Sequence, residues 1–309
     1  MQELTSEGSH KRGSLSIIVP VFNPGQSLKR LLASLPDDER LDIIFVDDGS
    51  TDGSRERLEN FVVNRRAVLV ASSGRGPGTA RNTGMTHAKG DFVSFADADD
   101  ECRLSILFAA VDDCVKFGAD VAICGYLRTN GQDFSKVVLP LGVELDSLWV
   151  ESHSVLKERA AVWGKVYRKN FLLESRVFFP EELGAEDVVF SYRLALANPR
   201  TRVIPEIGYT YYYADVQGQL TSTNTYFRNG FSTISSIINA EPNSRDEKFL
   251  LSYVSLSSTP YLFRGEGPVY GTFRVGKFLC RSLCVLGFRA MGTAVIEIVK
   301  RRYLGRRAR

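Results

Sequence analysis

After a mostly polar stretch of fourteen residues the chain settles into short apolar runs separated by helical repeats. LSIIVPVF at 15–22 is almost continuously apolar, which marks a strand buried on both faces, and Asn23, Pro24 and Gly25 end it. SLKRLLASL at 27–35 carries apolar residues at helical spacing. LDIIFV at 41–46 predicts a second buried strand that ends at Asp47 and Asp48, and STDGSRERLENFV at 50–62 predicts an amphipathic helix opened by capping residues. AVLVAS at 67–72, GTARNTGMTHA at 78–88 and DFVSFA at 91–96 continue as strand, helix and strand. Strands alternating with helices over the first hundred residues predict an α/β fold with an open, mostly parallel sheet. Ligands of such sheets bind outside the carboxyl ends of the strands.

The rhythm changes beyond Asp100. LSILFAAVDDCVKFG at 104–118 predicts a helix and DVAICGYLR at 120–128 a strand, whereas 130–160 carries no clear period. VWGKVYRKNFLL at 162–173 mixes strand and helix signals, AEDVVFSYRLALA at 185–197 starts a helix with an acidic first turn, and YTYYYA at 209–214 predicts a strand. From about residue 224 the pattern is helical. The expected organisation is a loose tail at 1–14, an α/β domain at 15–215 with halves at 15–100 and 101–215, and a helical extension at 216–309.

Of the 309 residues 44% are hydrophobic, enough for a sizeable core, so wholesale disorder is excluded. The formal net charge is only +3, and six basic residues fall in the last ten, KRRYLGRRAR. The rest is therefore slightly acidic, and no nucleic-acid partner is expected. The five cysteines form no C-x-x-C pair and no zinc set with the three histidines, which points to reduced thiols and a cytoplasmic setting. The first apolar run is short and interrupted by Pro20, and does not fit a signal peptide. The 14-residue uncharged stretch at 250–263 is too short to span a membrane. A soluble or peripherally attached protein is expected.

Candidate chemistry gathers at the predicted strand ends. Asp47 and Asp48, in VDDGSTD at 46–52, either cap the next helix or accept hydrogen bonds from a base or ribose in the crevice. Asp97, Asp99 and Asp100, in SFADADD at 94–100, form either an acidic surface turn or a cluster neutralised by a divalent cation such as Mg²⁺ or Mn²⁺. Between them, GRGPGTARNTG at 74–84 permits close backbone approach but matches neither a P-loop nor G-x-G-x-x-G. Arg81 within it contacts a ligand or pairs with acids. Trp163 stacks on a sugar or fills the interior, and Lys165 lies near a ligand or in solvent.

IIVPVFN at 17–23, VDDGSTD at 46–52, ARNTG at 80–84 and GDFVSFADADD at 90–100, in this order and spacing, closely resemble the nucleotide-sugar half of family 2 glycosyltransferases. WGKVYRKNFL at 163–172, EELGAEDVVF at 181–190 and YTYYY at 209–213 extend the resemblance over residues 15–215. It implies an A-type glycosyltransferase fold, Rossmann-like and flanked by helices. It also implies a nucleotide-sugar donor, with UDP favoured because uracil N3–H can donate to Asp48. By this resemblance Asp48 contacts the base and Arg81 lies near it. Asp97 lies near the ribose and diphosphate, and Pro20, Val21, Asn23 and Ala98 line the same nucleotide site. Asp99 is implied as the ligand of Mn²⁺ or Mg²⁺, and Asp187 as the catalytic base. Gly74 and Ala96 depart from the usual pattern without removing a carboxylate.

The implied activity is a metal-dependent, inverting transfer of sugar to a glycan or lipid-linked acceptor in surface polysaccharide synthesis. The alternatives are a nucleotidyltransferase or a non-catalytic sugar-nucleotide-binding module. Residues 276–309 combine apolar runs with basic residues. They read as a helical appendix or as an amphipathic element on an anionic membrane surface. Enzymes resembling this one that act at the inner face of the cell membrane favour the second.

Overall fold

The two faces of the first strand enter two separate hydrophobic clusters, which is why its sequence shows no alternation. Leu15, Ile17, Val19 and Val21 pack on one side with Leu28, Leu31 and Phe45. Ile18 packs on the other with Ile44, Val46, Ala80 and Met85. In the computed structural model, the structure describes residues 13–72, 76–137, 149–150, 160–181 and 184–213. The extension expected at 216–309, including the membrane-surface element at 276–309, lies outside the described residues. Among the described residues no helix is long and apolar enough to cross a membrane.

The first half runs β1 (Leu15–Val21), α1 (Leu28–Ser34), β2 (Leu41–Asp47), α2 (Ser54–Val62), β3 (Ala67–Ala71), α3 (Pro77–His87) and β4 (Phe92–Phe95). The second runs β5 (Glu101–Cys102), α4 (Leu104–Phe117), β6 (Val121–Thr129), β7 (Phe134–Val137), β8 (Trp149–Val150), β9 (Lys165–Arg168), α5 (Lys169–Glu174), α6 (Glu186–Leu196) and β10 (Thr201–Tyr212). All strands described join one sheet of order β3-β2-β1-β4-β9-β6-β10-β5, with β7 on β6 and β8 on β10. The first four strands are parallel, as the alternating pattern predicts. β9 runs antiparallel to both β4 and β6, while β10 is parallel to β6, so the second half is mixed.

Three differences from the sequence pattern have physical causes. Residues 13 and 14, expected as tail, are packed: the Ser14 hydroxyl donates to Asp91 at 2.9 Å, and Gly13 lies against Val111 with no room for a Cβ. The α2 N-cap is Gly53 at φ +83, while the Asp52 carboxylate accepts the Ser54 amide at 3.0 Å. β10 begins at Thr201, not 209, because Pro205 and Gly208, which read as breakers, sit where the register with β6 shifts twice.

Helix α3 lies close on the sheet. A Cβ added at Gly84 would sit 2.3 Å from Ile18 Cγ2 and 3.3 Å from Val46 Cγ2. Gly84→Ala is therefore expected to destabilise by about 1–3 kcal/mol, despite alanine's better helix propensity. Urea unfolding checks this, and an unchanged midpoint would mean that α3 can back away at no cost.

Candidate active site

The carboxyl ends of β1, β2 and β4 place three loops together. Asn23, exposed at φ +48 just past β1, accepts the Thr51 amide at 2.7 Å, and its own amide donates to the Ser50 hydroxyl at 3.1 Å. Asn23 thus ties the loop after β1 to the loop after β2. The adjacent pair Asp47 and Asp48 divide their work because successive side chains leave a strand on opposite faces. Asp47 is buried, pairs with Arg55 at 3.1 Å and accepts the Ser50 amide at 3.1 Å. It is a loop anchor rather than a ligand contact, so only half of the pair suits a base. Asp48 accepts the Gly76 amide through Oδ2 at 2.8 Å, which brings the glycine-rich loop to the end of β2.

The turn after β4 corrects the picture of three carboxylates sharing a cation. Asp97 accepts from Arg81 at 2.8 Å. Asp100 is fully buried and accepts the Tyr209 hydroxyl and the Tyr212 amide, both at 2.8 Å. Burial, with Asp97 and Asp99 close by, pushes the Asp100 carboxyl well above its ordinary range. Asp97 and Asp100 are thus engaged by different protein partners. Asp99, half-buried, stands between them, and its carbonyl oxygen accepts from Arg30 at 2.9 Å.

Among the described residues no group of three or more His, Cys, Asp and Glu side chains could hold a metal ion. A closed all-protein cage is thus not built there. Mg²⁺ and Mn²⁺ commonly take one or two carboxylates and complete their shell with substrate phosphates. Asp99 fits a cation of that kind.

Helix α6 supplies the opposing group. Gly184 and Ala185 both take positive φ, +100 and +58, and turn the chain sharply into the first helical residues, Glu186 and Asp187. A positive φ is unusual for alanine and costs of order 1 kcal/mol or more. Phe190, one turn on, holds the helix by stacking on Phe179 at 4.2 Å and meeting Phe95 and Tyr167 edge-on at 5.7 and 5.6 Å.

Arg81 joins the two halves. It is buried on α3 and donates to Asp97 at 2.8 Å and Asp187 at 3.0 Å, with Glu186 3.8 Å away. One guanidinium thus faces three carboxylates and is held firmly protonated by them. Burial is the largest cause that pushes Asp187 up to about 7; Arg81 opposes it, Glu186 and Asp97 add to it, and Lys165 opposes it more weakly. Burial likewise raises Glu186, against the pull of Arg81. The N-terminus of α6 favours the anion, but not enough to cancel desolvation.

Other candidates are placed differently from the simplest reading. Lys165 is buried, not solvated, and donates to the Ala161 carbonyl at 2.9 Å. Trp163 is interior, stacked on Tyr209 at 4.7 Å and on Tyr211 at 5.3 Å. Pro20 and Val21 end β1, with Val21 fully buried and Pro20 partly exposed, and Ala98 is buried in the turn after β4. Cys102, Cys114 and Cys124 are free and buried, and burial raises each thiol, Cys124 to about 12. The tie between Asp100 and Tyr209, 109 residues apart, carries no sequence signal beyond an acid in one motif and a tyrosine in another.

A parallel nucleotide-type half joined through β9 to a mixed half, with carboxylates facing each other across the join, defines the A-type glycosyltransferase fold. The chain matches the family model of Glycosyl transferase family 2 over residues 16–162. It is 29% identical over 219 residues to poly(ribitol-phosphate) beta-N-acetylglucosaminyltransferase TarS of Staphylococcus aureus, covering 67% of this chain and 37% of that protein. It is 30% identical over 211 residues to poly(ribitol-phosphate) beta-glucosyltransferase of Bacillus spizizenii, covering 64% and 32%. The chain thus spans about a third of the length of these two relatives. The crystal structure of S. aureus TarS 1-349 in complex with UDP-GlcNAc superposes with a TM-score of 0.70 at 20% identity, covering 92% of this chain and 88% of that one. That likeness is one of fold.

Proposed function

We propose that the chain is an inverting glycosyltransferase that moves a sugar from a UDP-sugar to a hydroxyl of a surface glycan or lipid-linked acceptor. One observation carries this reading: Arg81 holds Asp97 of the donor-side turn and Asp187 of the opposing helix on a single guanidinium. The base and the donor turn are thereby fixed relative to each other. Asp48, at the end of β2, accepts from uracil, with Pro20 and Asn23 at the edge of the same site and the buried Val21 and Ala98 supporting it from the core.

The reaction is a single displacement. An acceptor oxygen attacks the anomeric carbon from the face opposite the diphosphate, and the new carbon–oxygen bond forms as the bond to the β-phosphate oxygen breaks. The electron pair leaves with the diphosphate. The acceptor proton goes to the Asp187 carboxylate, which a carboxyl near pH 7 can accept and later release. Arg81 keeps that carboxylate aimed. Mn²⁺ or Mg²⁺ held by Asp99 would compensate the charge that develops on the leaving diphosphate.

The two relatives named for poly(ribitol-phosphate) differ in the sugar they are named for, so the likeness favours a polyol-phosphate or similar glycan acceptor and leaves the sugar open. Attachment to the inner membrane face through residues 276–309, in a cytoplasmic protein, rests on the sequence alone. Hydrolysis and thermal-shift measurements across a nucleotide-sugar panel, with and without Mn²⁺, test the reading. A UDP-sugar should be hydrolysed slowly and raise the melting temperature. A panel in which no nucleotide sugar is bound or hydrolysed would contradict it.

A further inference from the structure

The turn that carries Asp97 and Asp99, gripped by Arg81, is also held by the last described strand. The Tyr209 hydroxyl accepts the Asp97 amide at 2.9 Å and donates to Asp100 Oδ2 at 2.8 Å. Asp100 Oδ1 accepts the Tyr212 amide at 2.8 Å, and the Tyr212 hydroxyl donates to Glu101 at 2.9 Å. Arg30, whose guanidinium lies 4.0 Å over the Tyr212 ring, grips the Asp99 carbonyl from α1. Tyr209 is itself immobilised: it is 1% exposed, and Trp163 lies parallel to its ring at 4.7 Å. The second register shift of β10 falls between Ile207 and Tyr209. Such bulges re-aim the side chain that follows.

A phenol has one donor and can accept at the same oxygen, so this single hydroxyl can tie a backbone amide and a buried carboxylate together. No other part of the proposed chemistry uses it. We propose that Tyr209 is a positioning residue for donor binding, its hydroxyl setting the turn on which Asp97 and Asp99 meet the nucleotide diphosphate. The proposal rests on the glycosyltransferase reading above and adds to it a residue that acts through the turn, without touching substrate.

Tyr209→Phe keeps the ring on Trp163 and removes only the hydroxyl, leaving the Asp97 amide and Asp100 without that partner. UDP affinity measured by calorimetry in the presence of Mn²⁺ should fall about tenfold, as for a buried polar group deprived of its hydrogen bond. The KM for the donor should rise by a similar factor, while the KM for the acceptor stays unchanged and kcat falls by less than about threefold. Asp100→Asn, which keeps one oxygen to accept but turns its NH2 toward the second of the two donors, should lose less UDP affinity than Asp100→Leu, which keeps no acceptor.

If Tyr209→Phe fails to fold, the Asp100→Asn and Asp100→Leu pair decides the matter by the same calorimetry. Wild-type UDP affinity in Tyr209→Phe, or equal affinity in the two Asp100 variants, would overturn the role of Tyr209 and leave the glycosyltransferase reading intact. Wild-type protein that bound no UDP would overturn both.

Discussion

Asp187→Asn is expected to reduce transfer by about 10²–10⁴-fold while leaving donor affinity within a few-fold of wild type, since a general base contributes on that scale and acts only on the acceptor hydroxyl. The fold should tolerate the change. Arg81 faces three carboxylates, so replacing one by a neutral amide lowers the excess negative charge of the cluster. The pH dependence gives the sign. The base works only when ionised, and its carboxyl is pushed up to about 7, so the rate should rise with pH through that region and fall on the acid side. Asp187→Asn should lose this limb along with the activity. Calorimetry that showed donor affinity lost together with turnover would make Asp187 a donor-binding or structural residue.

Asp99→Ala should reduce transfer by about 10²-fold or more, the usual cost of removing a strong electrostatic stabiliser of developing charge. Its side chain is only half-buried, and the contact from Arg30 goes to its backbone carbonyl, which the substitution keeps. The melting temperature should therefore change little, and UDP binding should lose its dependence on added Mn²⁺. Turnover equal to wild type at saturating Mn²⁺ would remove Asp99 from the charge compensation of the diphosphate.

How far the sequence reaches depends on the range of the contact involved. β1 and β2 are legible because burial on both faces leaves nearly unbroken apolar runs, and the helical spacing between them admits one chain direction. The Asp187 helix is legible from its acidic start and the apolar period that follows. The division between Asp47 and Asp48 is not, because side by side in sequence they look equivalent, and only the sheet decides which faces Arg55 and which faces Gly76. The same holds for Asp99 and Asp100, separated by a tyrosine that arrives 109 residues later. The antiparallel course of β9 leaves no mark either, since residues 165–168 carry no periodicity that records direction. Lys165 looks like a surface lysine and is buried, because its ammonium finds a backbone carbonyl inside.

The proposed activity is glycosyl transfer with inversion, driven by a base on α6 across from a UDP-sugar site. It is checked by proton NMR of a reaction containing wild-type protein, Mn²⁺, an α-linked UDP-sugar selected by thermal shift and a polyol-phosphate or glycan acceptor. The prediction is a product with a β-anomeric proton that grows in step with free UDP, and no such signal with Asp187→Asn. An α-anomeric product, or release of UMP or pyrophosphate in place of UDP, would contradict it.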